Sequence, residues 1–419
     1  MNPSPEPDRS ALRVNPDRLM ERLDALARIG AISGTAGCAR LALTDEDRAG
    51  RDLVVTWMRD LGLDVTVDGI GNVTGVMPSA GDAAPVMTGS HIDTVATGGR
   101  YDGNLGVLAG LEVIETVRTA GIEPKRPLAV GFFTDEEGAR FPPDMLGSLV
   151  YVGGLGLEDA LQIEGIDGAV VGDELDRIGY RGIEPCPGAV PHAFIELHIE
   201  QGPVLEAEGR HIGAVTGVQG ISWTSITITG QSNHAGTTPM SMRRDPAVAA
   251  ARITTFVHDL ANELGHPQVG TVGKIDLRPN LVNVVPQSAT MTVDLRNTDD
   301  ATLQDAERRL RQLLDEMTAP GDLSIDTTTL ARFEPVVFDP AVVDLVAAVA
   351  ESHGHDPLRI PSGAGHDAQM LARVCRTGMI FVPSHDGLSH NPAEHTDPDD
   401  LEAGANVLLH TMLHLAEED

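Results

Sequence analysis

Aromatic residues, cysteine and positive charge are all scarce in this sequence, and no long apolar run interrupts it. Aromatics make up only 3% of the 419 residues, so the core must be built from aliphatic side chains. Hydrophobic residues still reach 41%, enough for a sizeable packed interior. The length exceeds what a single core supports, which points to two domains. The three cysteines, Cys38, Cys186 and Cys375, lie far apart and form no C-x-x-C pair. That excludes a disulfide framework and a thiolate zinc site, leaving histidine and carboxylate as the available metal ligands. Lys and Arg number 30 against 62 Asp and Glu, a formal charge of −32. Nucleic-acid backbones and anionic membrane surfaces would be repelled, so neither is expected as a partner. No apolar stretch approaches the roughly 18 residues of a membrane span. Met1 to Asn15 reads as a Pro-rich polar leader without a signal-peptide core, and a soluble, cytoplasmic protein is expected.

What is present is a regular alternation of strand and helix patterns. Asn15-Pro16 opens a helix with Leu19, Leu23 and Leu26 on one face, and Thr44 with Asp47 reads as a capping box for a second helix toward Leu61. Strands are expected at Val65–Val67, Val73–Met77 and Val86–Thr88, then a helix from Leu105 to Ala120 and a buried strand, Leu128–Phe133. A loop-rich stretch leads to a further strand, Phe194–Ile199. The alternation predicts an α/β fold, a mixed-sheet domain with helices on both faces. From Val218 the order becomes strand (Ile221–Thr229), helix (Pro246–Glu263), strands (Gly270–Ile275 and Thr290–Arg296), helix (Thr302–Glu316) and strand (Leu323–Thr328). That is an inserted βαββαβ unit at 218–332, dividing the first domain into 1–217 and 333–419. Asp339-Pro340 and Asp397-Pro398 read as caps with a first-turn proline on either side of a strand, Met379–Val382.

The residues that carry chemistry gather where strands end, at Gly89–Thr94, Tyr101–Gly103, Thr134–Gly138, Glu196–Gly202 and Ser389–Pro392. Singly, each has a plain structural explanation, because Asp-Gly pairs make turns and an isolated histidine is usually a hydrogen-bonding group. Together, three histidines and several carboxylates on one sheet edge supply the nitrogen and oxygen ligands of a divalent ion. In the adjacent pair Glu136-Glu137 one carboxylate can ligate while its neighbour moves protons.

Seven segments together resemble the M20 metallopeptidase superfamily, in its amidase, hydantoinase and carbamoylase branch, over nearly the whole chain. They are GSHIDTVATGGRYDG, FTDEEGARF, ELHIEQGPVLE, GQSNHAGTTPM, VDLRN, SGAGHDAQ and SHNPAEHT. The resemblance implies that His91, Asp102 and His198 hold one metal while Asp102, Glu137 and His390 hold the other, with Asp102 bridging and Glu136 as general base. It further implies that Asp93 orients His91, that a cis peptide follows Asp102, and that the inserted unit is a lid and dimerisation domain. His234 resembles the residue that stabilises an oxyanion on the neighbouring chain's metals, and Asn283 with Arg296 resemble a clamp for the substrate carboxylate. Gln201 and the backbone at Gly365 complete that pocket. The implied cofactors are two divalent ions, zinc or manganese, with cobalt and nickel also suited to these ligands. The implied activity is cleavage of an N-carbamoyl-L-amino acid by a homodimer. Allantoate or ureidoglycolate amidohydrolysis is the alternative, ahead of an aminoacylase or dipeptidase. A metal-binding protein without catalysis comes last, because no ligand or base is missing.

Overall fold

The computed structural model describes residues 9–79, 81–318 and 322–418, so Met1–Asp8 of the polar leader lie outside the described residues. The chain divides into two compact units, Met1–Thr216 with Val337–Asp419, and Gly217–Val336.

The strands in chain order are β1 (Asp64–Val67), β2 (Val73–Val76), β3 (Val86–His91), β4 (Leu128–Phe133), β5 (Ala193–Ile199), β6 (Gly213–Val218), β7 (Gly220–Thr229) and β8 (Asn233–His234). They continue as β9 (Val269–Arg278), β10 (Val284–Val285), β11 (Ser288–Asn297), β12 (Ser324–Phe333), β13 (Val336–Val337), β14 (Leu358–Ser362) and β15 (Arg376–Val382). The large sheet runs β1-β2-β4-β3-β5-β15-β6-β13, with β14 also on β6. Its centre, β4-β3-β5-β15, is parallel, while β1, β2 and β6 pair antiparallel, which makes the sheet mixed. Every residue of β3, β4 and β5 is buried, as expected of parallel strands covered on both sides. Adjacent residues of β5 show the two coverings. The Leu197 side chain meets Gly404 of the helix Pro398–Ala416, whereas Glu196 accepts the N–H of Ala368 in the helix Asp367–Leu371.

Leu19, Leu23 and Leu26 are buried together in the helix Pro16–Ala27. Thr44 caps the helix Asp45–Asp60 by accepting the Asp47 N–H. Asp339 caps Pro340–Ser352 through its carboxylate. Asp397 precedes Pro398–Ala416 without such a bond and meets His395 at 3.2 Å instead. Helices Leu146–Tyr151, Leu157–Ala160 and Val171–Ile178 occupy the stretch read as loop-rich. Among the described residues no helix is long and apolar enough to cross a membrane.

The second unit is an antiparallel sheet, β12-β7-β11-β9, with helices Pro246–Leu264 and Asp300–Thr318. Strict alternation in β11 buries Ala289, Met291, Val293 and Leu295 against Ile253, Val257, Leu303 and Leu310 of those helices. Thr290, Thr292, Asp294 and Arg296 therefore point to the opposite face of the sheet.

Candidate metal centre

Because β3, β4, β5 and β15 are parallel, their C-terminal ends share one sheet edge. β3 pairs with β5 from Val86 opposite Ala193, and the same register continued sets His91 level with His198. Their ring centroids stand 6.1 Å apart. The remaining groups come from loops at that edge. Asp102 precedes the helix Asn104–Thr119, Glu136 and Glu137 follow β4, and His390 lies beyond β15 with φ 52. Glycine is required at 103, since a Cβ there would lie 2.4 Å from the His91 ring. The Asp102–Gly103 peptide, expected to be cis, is trans. Cis bonds among the described residues all precede proline, and the chain instead bends at Gly103 with φ 66 and ψ −48, a conformation open to glycine.

Two groups with ligand atoms mutually within 4.8 Å share one carboxylate, His91-Asp102-His198 and Asp102-Glu137-His390. Asp102 Oδ1 lies 3.2 Å from His198 Nε2 and 3.6 Å from His91 Nε2. Its Oδ2 lies 3.5 Å from His390 Nε2, which stands 3.1 Å from Glu137 Oε2. Two ligands of one tetrahedral ion, each bonded at about 2.0–2.1 Å, stand about 3.3 Å apart, so both groups have the spacing of a divalent-ion site. The tautomers agree. His91 Nδ1 lies 2.9 Å from the Asp93 carbonyl and His198 Nδ1 lies 2.8 Å from the Ile199 carbonyl. A carbonyl only accepts, so each Nδ1 carries a proton, which is the arrangement that offers Nε2 to a metal once Nε2 is unprotonated.

The charges agree as well. Burial opposes a proton on His91, yet Glu136, Asp102, Asp93 and Glu137 outweigh it and hold the pKa well above the usual imidazole value. The hydrogen bond His390 donates to Glu137 carries its pKa to about 9. Burial also disfavours charge on Asp102, but hydrogen bonds from His198 and His91 keep it well below the usual carboxylate range. Glu136 stands outside both groups, 3.4 Å from His91 Nε2. Burial, joined by Asp367, Glu137 and Asp102, pushes it well above the ordinary value. This buried excess of carboxylate is what divalent cations would neutralise.

Asp93 supports His91 through its backbone carbonyl. Its carboxylate oxygens lie 3.4 Å from the N–H groups of Glu136 and Glu137, so it steadies the acid pair instead. Gln201, with φ 58, donates from Nε2 to Asp102 Oδ2 at 2.9 Å, and its buried Oε1 has no hydrogen-bond partner. Gly365 lies against Met145, with a would-be Cβ 3.1 Å from Met145 Cε.

His234, Asn283 and Arg296 belong to the second unit. His234 pairs with Val284 in the short β8-β10 ladder, and the Asn283 carbonyl accepts the Ala235 N–H, so the two sites adjoin. The Gly236 N–H donates to His234 Nδ1 at 3.1 Å, which leaves the proton of a neutral ring on Nε2. Arg296 engages Asp294 through Nε and Nη2 at 3.0–3.2 Å and lies over the Trp223 ring at 5.8 Å.

Sequence reasoning passed over four residues at this edge. Ser389 Oγ donates to Asp102 Oδ2 at 2.8 Å. Glu394 accepts the N–H groups of Tyr101 and Asp102. Glu196 accepts from Ser90 Oγ and Ala368 N, and His366 packs edge-on to His198 with centroids 4.6 Å apart. Glu196, His198 and His366 form a third group of possible ligand atoms. All four lie inside the quoted segments, but hydrogen bonds to backbone amides leave no mark in a sequence.

Residues 87–414 match Peptidase family M20/M25/M40. The chain is 43% identical to an N-carbamoyl-L-amino-acid amidohydrolase of Rhizobium meliloti, across 97% of both chains. It is 38% identical to an allantoate amidohydrolase of Escherichia coli K12, across 94% of this chain and 97% of the relative. A crystal structure of an amidase of the hydantoinase/carbamoylase family from Burkholderia multivorans superposes with a TM-score of 0.94 at 47% identity, covering 97% of this chain and 99% of that one. With its sheet-edge histidines and carboxylates on a fold shared over almost the full length, this chain belongs to the M20/M25/M40 peptidase family.

Proposed function

We propose that the protein is a two-metal amidohydrolase that cleaves the carbamoyl C–N bond of an N-carbamoyl-L-amino acid, giving the amino acid, carbon dioxide and ammonia. The observation that carries this is the pair of ligand groups joined at Asp102, with Glu136 beside them and bound to neither. His91, Asp102 and His198 would hold one ion, and Asp102, Glu137 and His390 the other. Bound divalent ions would lower the pKa of a water molecule and polarise the carbamoyl carbonyl. Glu136 then takes the proton from the attacking water and returns it to the leaving nitrogen. His234, donating from Nε2, suits the oxyanion of the tetrahedral intermediate. Arg296 with Asn283 holds the substrate carboxylate, which exchanges with Asp294 at the guanidinium fork, while Gln201 and Gly365 line the pocket.

The working unit in this reading is a cytoplasmic homodimer formed through residues 218–332. β9 supports it, as an edge strand with Val269 and Ile275 about half exposed. A monomer mass at working concentration would overturn the dimer. Action on allantoate or ureidoglycolate is the second reading, favoured by the 38% identity to the allantoate enzyme. The deciding experiment strips the protein with a chelator, restores zinc or manganese, and assays carbamoyl amino acids, allantoate, ureidoglycolate and acetyl amino acids. Highest kcat/KM on a carbamoyl amino acid, with activity regained at two ions per chain, is expected. Full activity in the stripped protein, or preference for acetyl amino acids, would overturn the reading.

A further inference from the structure

We infer that Glu394 is a positioning residue that latches the loop bearing His390 onto the loop bearing Asp102, so that both ligand groups meet at a common carboxylate. Glu394 is buried. Its Oε1 accepts the N–H of Tyr101 at 2.9 Å and that of Asp102 at 3.2 Å. Its Oε2 lies 3.4 Å from Ser389 Oγ, whose single proton goes to the closer Asp102 Oδ2 at 2.8 Å. One acid thus fixes the backbone of Asp102, while the neighbouring serine fixes its side chain.

The fit of the loops is close. A Cβ on Gly99 would lie 2.0 Å from Glu394 Oε1, and a Cβ on Gly37 would lie 2.6 Å from Pro392 Cα. His390 itself has φ 52, a region that non-glycine residues seldom enter unless neighbouring contacts hold them there. Glu394 is absent from every group of possible ligand atoms among the described residues, and its Oε1 is occupied by two amide donors. It therefore acts through Asp102 and His390. Released from the latch, His390 would leave its place beside Asp102 and Glu137, whereas His91 and His198 are held by their own strands.

The inference rests on the two-ion reading, which the stoichiometry of the wild-type protein tests separately. It does not depend on the substrate. Stripped wild-type, Glu394→Ala, Glu394→Gln and Glu394→Asp proteins are titrated with zinc against a chromophoric chelator, and their cobalt-loaded forms are compared by visible absorption. Loss of a group supporting a ligand weakens metal binding by about 10–100-fold. For Glu394→Ala the larger loss is expected at one equivalent, the one that His390 completes, with a changed cobalt spectrum, because His91 and His198 still hold the other. Glu394→Gln, whose amide oxygen still accepts both N–H groups, should remain within about threefold of wild type, well below that range. General destabilisation would weaken both equivalents alike, and that result overturns the latch. Wild-type affinity at both equivalents in Glu394→Ala overturns it too, as does a Gln variant as weak as the Ala variant. If Glu394→Ala does not fold, the shorter carboxylate of Glu394→Asp decides by the same selective loss or its absence.

Discussion

Glu136 and Glu137 are chain neighbours with opposite surroundings. Glu137 meets His390 at 3.1 Å as a member of a ligand group, while the Glu136 carboxylate lies 3.4 Å from His91 and belongs to neither group. Glu136→Gln should therefore keep both ions and lose about 10²–10⁴-fold in kcat, the usual contribution of a general base. Glu137→Ala should lose metal as well. Near wild-type turnover in Glu136→Gln would remove it from the chemistry. The same cluster sets a pH dependence in the stripped protein. Burial, with Asp47 and Glu137, raises Asp93 to about 6, and burial with Asp102 raises Glu394 to about 7. His390 is raised to about 9. Each folded value lies above the unfolded one, so the folded state holds the extra protons. This stabilisation is full below the unfolded values and is lost as pH rises through about 6, 7 and 9. The Tm of stripped protein should fall from pH 5 to pH 9, and the gain on adding zinc should grow, because ligation needs unprotonated imidazoles. A flat or rising Tm in stripped protein would contradict this. The residues that could be read from the sequence are those whose side chains face the shared edge. Glu394, Glu196 and His366 could not, because their partners lie far off in sequence, on a neighbouring strand, a helix or another loop, and meet them only in the folded chain.

At the scale of elements, the helix Asn104–Thr119 has Asp102 just before its first turn and packs tightly on the sheet. A Cβ at Gly106 would lie 2.6 Å from the Leu197 carbonyl, and one at Gly110 would lie 2.6 Å from Thr88 Cγ2. The Leu197 contact is with backbone and has little room to yield. Gly106→Ala should cost about 1–3 kcal/mol in urea unfolding, as overpacking usually does, and should weaken metal binding by shifting Asp102. A variant as stable as wild type would show that the helix is free to move. Long elements with a clear period were legible, among them Leu128–Phe133 and the alternating β11. Several shorter elements were not, although the four-residue β1 and β2 were. β6 and β14 border the β15 end of the sheet, and the three helices between Leu146 and Ile178 have four to eight residues each. Too few turns or alternations are present there for periodicity to separate helix, strand and loop.

At the scale of the whole molecule, each unit closes its own sheet with its own helices, and the second has a separate aliphatic core around Ile253, Met291 and Leu310. That independence was visible as the change of pattern near Val218. The scarcity of aromatic residues, which first implied an aliphatic interior, has an optical consequence. Of the two tryptophans, Trp57 lies in the helix Asp45–Asp60 of the first unit and Trp223 in β7 of the second. A Trp57→Phe protein would emit from a single indole, the one beneath the guanidinium of Arg296. When a substrate carboxylate draws that guanidinium from Asp294, the cation over the ring shifts, and the emission of Trp223 should follow ligand concentration without any turnover. Fluorescence unmoved at saturating carbamoyl amino acid would place the carboxylate elsewhere. A signal that saturates and disappears in Arg296→Ala would make the second unit its own binding gauge.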